Sequence, residues 1–196
     1  MAIIESKKLH HWQYFLAVEA DLHRLSRFIE FSADNFCAYS IELVRILLAS
    51  SAEVDIVAQQ LCENLGPGRH MGNMDDYRLA IVEAMPILGD AEVEIPRYGL
   101  TLRPWDNWRE NRNPDWWRAY NAVKHQRHER YSEANLKNIL NSVCGLFLLL
   151  LFLYREQAAA GELVPNPVML RLGMPFKTDR VFWGETGNFT YFLDNR

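Results

Sequence analysis

The sequence predicts an all-α fold: a helical bundle of four to five main helices, with a Trp-rich loop and a small irregular or β-hairpin C-terminal extension. Three observations predict it. Apolar residues recur at helical spacing through the N-terminal third, turn-forming residues separate those runs, and a continuous apolar run lies between Val143 and Leu153. With 196 residues, 49% hydrophobic and 23% charged, the chain supports one domain with a real core and lacks the composition of a disordered segment. We expect a helical domain over 1–161 and an extension packed on it over 162–196.

Phe15, Val18, Leu22, Leu25 and Ile29 repeat at 3-4-3-4 spacing and predict a helix from Lys8 to Phe31. Ser32 to Asn35 supplies turn and cap chemistry. Phe36, Tyr39, Leu43, Leu47, Val54, Val57 and Leu61 mark a second long helix that stops at Gly66-Pro67-Gly68. Ser50-Ser51 with Glu53 matches a capping box, which predicts a restart and a kink. The two helices should form an antiparallel hairpin with a continuous apolar seam.

Asp75 to Met85 carries a short helical pattern stopped by Pro86. Ala91 to Pro104 contains Pro96, Gly99 and Pro104 and predicts an extended loop or small hairpin. Trp105, Trp108, Trp116 and Trp117 are expected to anchor a long loop on the core, with ligand stacking as the alternative. Asn113 and Pro114 suit the start of a helix reaching Arg130. A further helix is expected from Glu133 to Ala160, with Ser132 as N-cap and Gly161 as its stop. Its twelve-residue apolar run, Val143 to Tyr154, is shorter than the roughly 20 residues a bilayer core demands, so no membrane is expected. It suits a helix buried on all sides, or a subunit interface. In the tail, Val181-Phe182-Trp183 and Phe189 to Leu193 flank a turn-like Gly-Glu-Thr-Gly-Asn and predict a hairpin.

The net charge of −4 argues against a general polyanion binder. The charge is uneven, however. From Arg97 to Arg130, eight Lys/Arg face four Asp/Glu, so this stretch is +4 and the rest is −8. Such a patch fits a phosphate-bearing ligand, and a solvated helix face looks much the same. Cys37, Cys62 and Cys144 lack metal-ligand spacing, and the N-terminus lacks a signal-peptide core, which predicts a reduced cytoplasmic protein with thiols packed as small hydrophobes. No G-x-S-x-G, C-x-x-C or H-E-x-x-H occurs, and Gly66 to Gly72 matches neither nucleotide-loop fingerprint.

The chemistry concentrates between Asn113 and Tyr131. At about 100° per residue, Arg118, Asn121, Ala122, His125 and Glu129 share a helix face, with His128 on its edge. Arg118 and His125 stand two turns, or about 10 Å, apart. Arginine offers a planar fork to phosphate oxygens, and histidine titrates near neutral pH. Metal-independent RNA cleavage needs those parts: a base for the 2′-hydroxyl, a cation for the phosphoryl oxygens and an acid for the leaving group. His125 and His128 also have metal-compatible spacing. No second cluster completes such a site, since His10-His11 and His70 stand apart, so neither a metal nor a cofactor is expected.

The segment Arg118-Ala-Tyr-Asn-Ala-Val-Lys-His125 resembles the R-x(4–6)-H signature of the HEPN superfamily of all-helical, often homodimeric domains. The stretches Tyr39 to Arg45 and Ala52 to Asp55 add to the likeness with uncharacterised bacterial proteins of that type. The resemblance implies a metal-independent ribonuclease giving a 2′,3′-cyclic phosphate, in a phage-defence or toxin–antitoxin setting, with RNA as substrate and a protein antitoxin as a further partner. It implies Arg118 and His125 as catalytic residues with Asn121 as their polar auxiliary. Lys124, Arg127, His128 and Glu53 would contact substrate, Glu53 coming from the preceding hairpin. Ala119 stands where active members usually carry a polar residue. The alternative reading is therefore a non-catalytic helical module that binds protein or nucleic acid.

Overall fold

The computed structural model describes residues 8–66, 71–183 and 186–193. Within them, α1 (His10–Leu25), α2 (Ile41–Leu65), α3 (Met74–Ala84), α4 (Asp115–Arg130), α5 (Leu136–Leu153) and α6 (Arg155–Ala160) are the main elements. The fold is helix-rich but not purely α. Val93–Ile95 (β1) pairs antiparallel with Leu100–Leu102 (β2) and with Arg171–Leu172 (β3), and Lys177–Trp183 (β4) forms a hairpin with Thr186–Phe192 (β5). The β-hairpins expected near 91–104 and at the C-terminus are both present. The third strand, contributed by Arg171 and Leu172 from far along the chain, corrects the all-α expectation.

The centre is α2 packed along α5. Every α5 residue from Val143 to Phe152 is buried, so the apolar run is consumed within this one chain rather than by a subunit interface. By length and composition alone this helix, 18 residues of mean hydropathy 2.0, would cross a membrane, yet 83% of it is buried within the fold. α1 covers the pair with Trp12, Phe15, Val18, Leu22 and Leu25, and the Phe15 and Phe147 rings stack 5.4 Å apart.

Several helix boundaries differ from the sequence pattern, each for a visible reason. α1 ends at Leu25 because Ser26 to Ile29 turn away through bonds to Leu22, Arg24 and Leu25 carbonyls. α2 starts at Ile41, where the Ser40 hydroxyl accepts from Leu43 N–H. It does not restart at Ser50. That hydroxyl donates back to the Ile46 carbonyl at 2.7 Å, which keeps the helix continuous instead of capping a new one. Asn113 does not cap α4; its amide accepts from Arg78 at 2.7 Å and donates to Asp75, tying the Trp-rich loop to α3. Asn135, not Ser132, caps α5. Gly161 ends α6 in the left-handed region (φ 72°), as its position implied.

All four loop tryptophans are buried, which decides for core anchoring over ligand stacking. Trp105 donates to the Gly145 carbonyl and Trp116 to the Pro104 carbonyl, pinning the loop onto α5. The segment from Val168 to Leu170 is tied to α1 by Glu19, whose buried carboxylate accepts the backbone N–H groups of Val168, Met169 and Leu170 at 2.7–3.0 Å. Cys62 and Cys144 are buried as expected, whereas Cys37 is exposed.

Candidate nucleic-acid interface

α4 divides its residues sharply. Trp116, Trp117, Ala119, Tyr120 and Val123 are buried, which fixes the helix on the bundle and turns Arg118, Lys124, His125, Arg127 and His128 to solvent. Ala119, at the position where active HEPN members usually carry a polar residue, is a packing position. Gln126 breaks the helix with φ −133° and ψ 41°, so the last turn is offset from the segment bearing Arg118. Arg127, His128 and Arg130 in that turn complement the carbonyl end of the helix dipole.

Lys124, His125, Arg127, His128 and Tyr131 line an open pocket of about 610 Å³. The Lys124 ammonium lies 5.3 Å from the Tyr120 ring centre, a cation–π distance. His128 reaches Glu129 at 3.4 Å, and Arg130 pairs with Glu133 at 3.0 Å. Lys124, His125 and Arg127 have no carboxylate partner among the described residues. The exposed Tyr39 ring meets the Tyr131 ring edge-on at 5.9 Å, so an aromatic pair borders the basic cluster. Sequence reasoning missed both tyrosines. Tyr131 follows His125 by six residues and was visible, but Tyr39 arrives through the backbone bridge between Tyr39 and Asn135, which spans 96 positions.

The expected site residues are only partly brought together. His125, Lys124, Arg127 and His128 share the pocket; Arg118 and the half-buried Asn121 do not line it. Arg118 is exposed and its guanidinium pairs with Asp115 in the same turn. Glu53 belongs elsewhere: it is buried and accepts from His11 Nδ1 at 2.6 Å. This takes Glu53 away from the substrate contact expected of it beside α4, and it also gives His11 a partner. His70 lies outside the described residues. Among the described residues, no three His, Cys, Asp or Glu side chains gather as a metal site would require.

No family model, curated protein or solved structure matches this chain.

Proposed function

We propose that this protein binds RNA on the exposed face of α4 and, as a two-fold homodimer, cleaves it without a metal in the manner of HEPN ribonucleases. On this reading the helices within 1–161 are a HEPN-like bundle and the small sheets are attachments to it. The observation that carries the proposal is the pocket formed by Lys124, His125, Arg127, His128 and Tyr131, with Tyr39 at its edge. Unpaired cations neutralise phosphates, and exposed aromatic rings stack on unpaired bases. A histidine exposed among them is placed for proton transfer.

In the cleavage step His125 takes the 2′-hydroxyl proton, and the 2′-oxygen attacks the adjacent phosphorus. Arg118 stabilises the phosphoryl oxygens, and the histidine of the second copy protonates the departing 5′-oxygen. The products are a 2′,3′-cyclic phosphate and a 5′-hydroxyl, so no bond or charge is left unaccounted for. The second copy supplies the acid because one His125 cannot both hold the 2′-hydroxyl proton and protonate the leaving oxygen on the opposite side of the phosphorus. A cytoplasmic toxin–antitoxin or phage-defence role, with a protein antitoxin as partner, follows from this reading.

A second reading is binding without cleavage. The Arg118–Asp115 pairing and the buried Ala119 favour it, because both take equipment away from a catalytic centre. RNA incubated in EDTA with wild type, His125→Ala and Arg118→Ala separates the two. Cleavage giving cyclic-phosphate ends, reduced about 100-fold or more in His125→Ala, establishes the enzyme. Salt-sensitive binding with no cleavage by wild type establishes the second reading. Absence of binding overturns both.

A further inference from the structure

A second site lies away from α4, where the start of α1, the ends of α2 and α3, and the α5–α6 junction meet. They border an open pocket of about 600 Å³, within the roughly 300–1,000 Å³ typical of small-molecule sites. Leu61, Leu65, Met85 and Leu153 give it apolar lining. His10, His11, Arg155 and Lys8 bring positive or titratable groups to the same wall, against the single carboxylate of Glu156, and Gln60 and Asn64 add amides.

The distinguishing feature is His11. Its Nδ1 lies 2.6 Å from Glu53 Oε1, with the two side chains only 23% and 10% exposed. Glu53 does not line the cavity, whereas His11 does. The carboxylate therefore stands behind the imidazole and fixes its orientation, as second-layer carboxylates do for working histidines. Nε2 hydrogen-bonds to none of the described residues, leaving it for a ligand. Tyr154 lines the cavity beside the His11 ring, 6.5 Å between centres. Burial, opposed by a hydrogen bond from the His11 backbone and reinforced by the charge of Glu53, pushes its phenol up, so it remains a neutral donor.

We infer that this cavity binds a small organic anion with an apolar body, with the Glu53-oriented His11 meeting the anionic group, Arg155, whose Nη2 donates to the Leu193 carbonyl, adding its positive charge at the wall, and Leu61, Leu65 and Met85 meeting the body. When protonated, His11 donates Nε2–H to an oxyanion; when neutral with its proton on Nδ1, it accepts from a ligand hydroxyl. Both modes rest on the same carboxylate. The inference is independent of RNA binding at α4.

Phenyl phosphate, inorganic phosphate and phenol test it, the latter two being the halves of the first. Titration is followed by the Met85 methyl resonance in the full chain. Phenyl phosphate should give a saturable shift, binding about tenfold more tightly than either half, because a charge-assisted hydrogen bond and buried apolar area each contribute on that scale. His11→Asn and Arg155→Met should each weaken binding about tenfold. Ala84→Trp, which fills the cavity and leaves the His11–Glu53 pair intact, should abolish it, and Lys124→Ala on α4 should change nothing. The inference is overturned if Met85 does not respond at millimolar phenyl phosphate, if Ala84→Trp binds as wild type does, or if either half binds as tightly as the whole.

Discussion

Ser50 Oγ on α2 lies 2.7 Å from Ser142 Oγ on α5, and both side chains are fully buried. Each hydroxyl has one proton, so one donates across to the other while that other donates to its own helix carbonyl, Ile46 at 2.7 Å for Ser50 or Ile139 at 3.0 Å for Ser142; either hydroxyl therefore retains a carbonyl acceptor when its partner is removed. Ser50→Ala and Ser142→Ala should then each cost about 1 kcal/mol, without the larger penalty of an orphaned donor. Their effects should not add. A double-mutant cycle by urea denaturation should show a coupling of about 0.5 kcal/mol or more, and strict additivity would mean the hydroxyls do not interact.

Glu19 presents the opposite case, because its loss does orphan donors. Three consecutive N–H groups, of Val168, Met169 and Leu170, end on this one carboxylate. Glu19→Ala should cost about 3 kcal/mol or more. Glu19→Gln keeps one acceptor oxygen but turns an NH₂ toward a backbone N–H. Hydrogen exchange of residues 168–170 should accelerate in both variants, more in Ala, while the α2 and α5 amides stay protected. Unchanged exchange at 168–170 would show that the extension is held by its apolar contacts alone.

A side chain at Gly145 would meet Trp116 Cζ2 at 3.1 Å and Trp105 Cζ2 at 3.3 Å. The glycine sits in the interior of α5, where it costs about 1 kcal/mol relative to alanine, and the close approach of the indoles explains its presence. Gly145→Ala should be nearly neutral, helix propensity offsetting a small indole shift. Gly145→Val should destabilise by about 2 kcal/mol and alter tryptophan fluorescence. A Val variant as stable as wild type would mean that the tryptophan cluster is loosely packed.

Burial pushes the Cys62 thiol up to about 11, with Asp76 and then Glu63 adding to the effect. Tyr77 is pushed up to about 12 by burial, then by the charge of Asp55 and a hydrogen bond to it. Both groups hold their protons more tightly when folded, so their contribution is complete below the unfolded values of 9.0 and 10.0 and is lost as pH rises through the folded ones. Stability should fall between about pH 9 and 11, and Cys62→Ala should flatten that slope. Thermal melts across this range check it; an unchanged slope in Cys62→Ala would exclude the thiol as its source.

Local periodicity carried much of the fold. Phe15 to Leu25, Leu43 to Leu61 and the apolar run of α5 all declared their helices because burial on one side, or on all sides, leaves a residue pattern. What stayed hidden was pairing across long separations. Nothing near Arg171 announces its strand partner Glu94, and nothing near Glu53 announces His11, 42 positions earlier. Ser50 misled because a serine inside a helix and a serine before one look alike until the partner of the hydroxyl is known. On α4 the exposure of Arg118 and His125 followed from the 3.6-residue repeat, but the break at Gln126 did not, and that break groups His125 with Arg127 and His128 rather than with Arg118.

The Arg118–Asp115 pair offers a direct handle on the proposed RNA surface. Both side chains are more than half exposed, at 68% and 55%, so the pair itself contributes little to stability. Asp115 also lies in the first turn of α4, where a negative charge is favourable by about 0.3–1 kcal/mol. Asp115→Asn should therefore lower stability only slightly while removing a charge that both occupies Arg118 and repels phosphate. RNA affinity at low salt should rise a few-fold. Arg118→Ala should weaken binding and reduce the slope of log affinity against log salt by about one. In the double variant the gain from Asp115→Asn should shrink, because the guanidinium it frees is gone. If instead the double variant gains as much as Asp115→Asn alone, the aspartate acts only as a repelling charge, and Arg118 does not touch the bound strand.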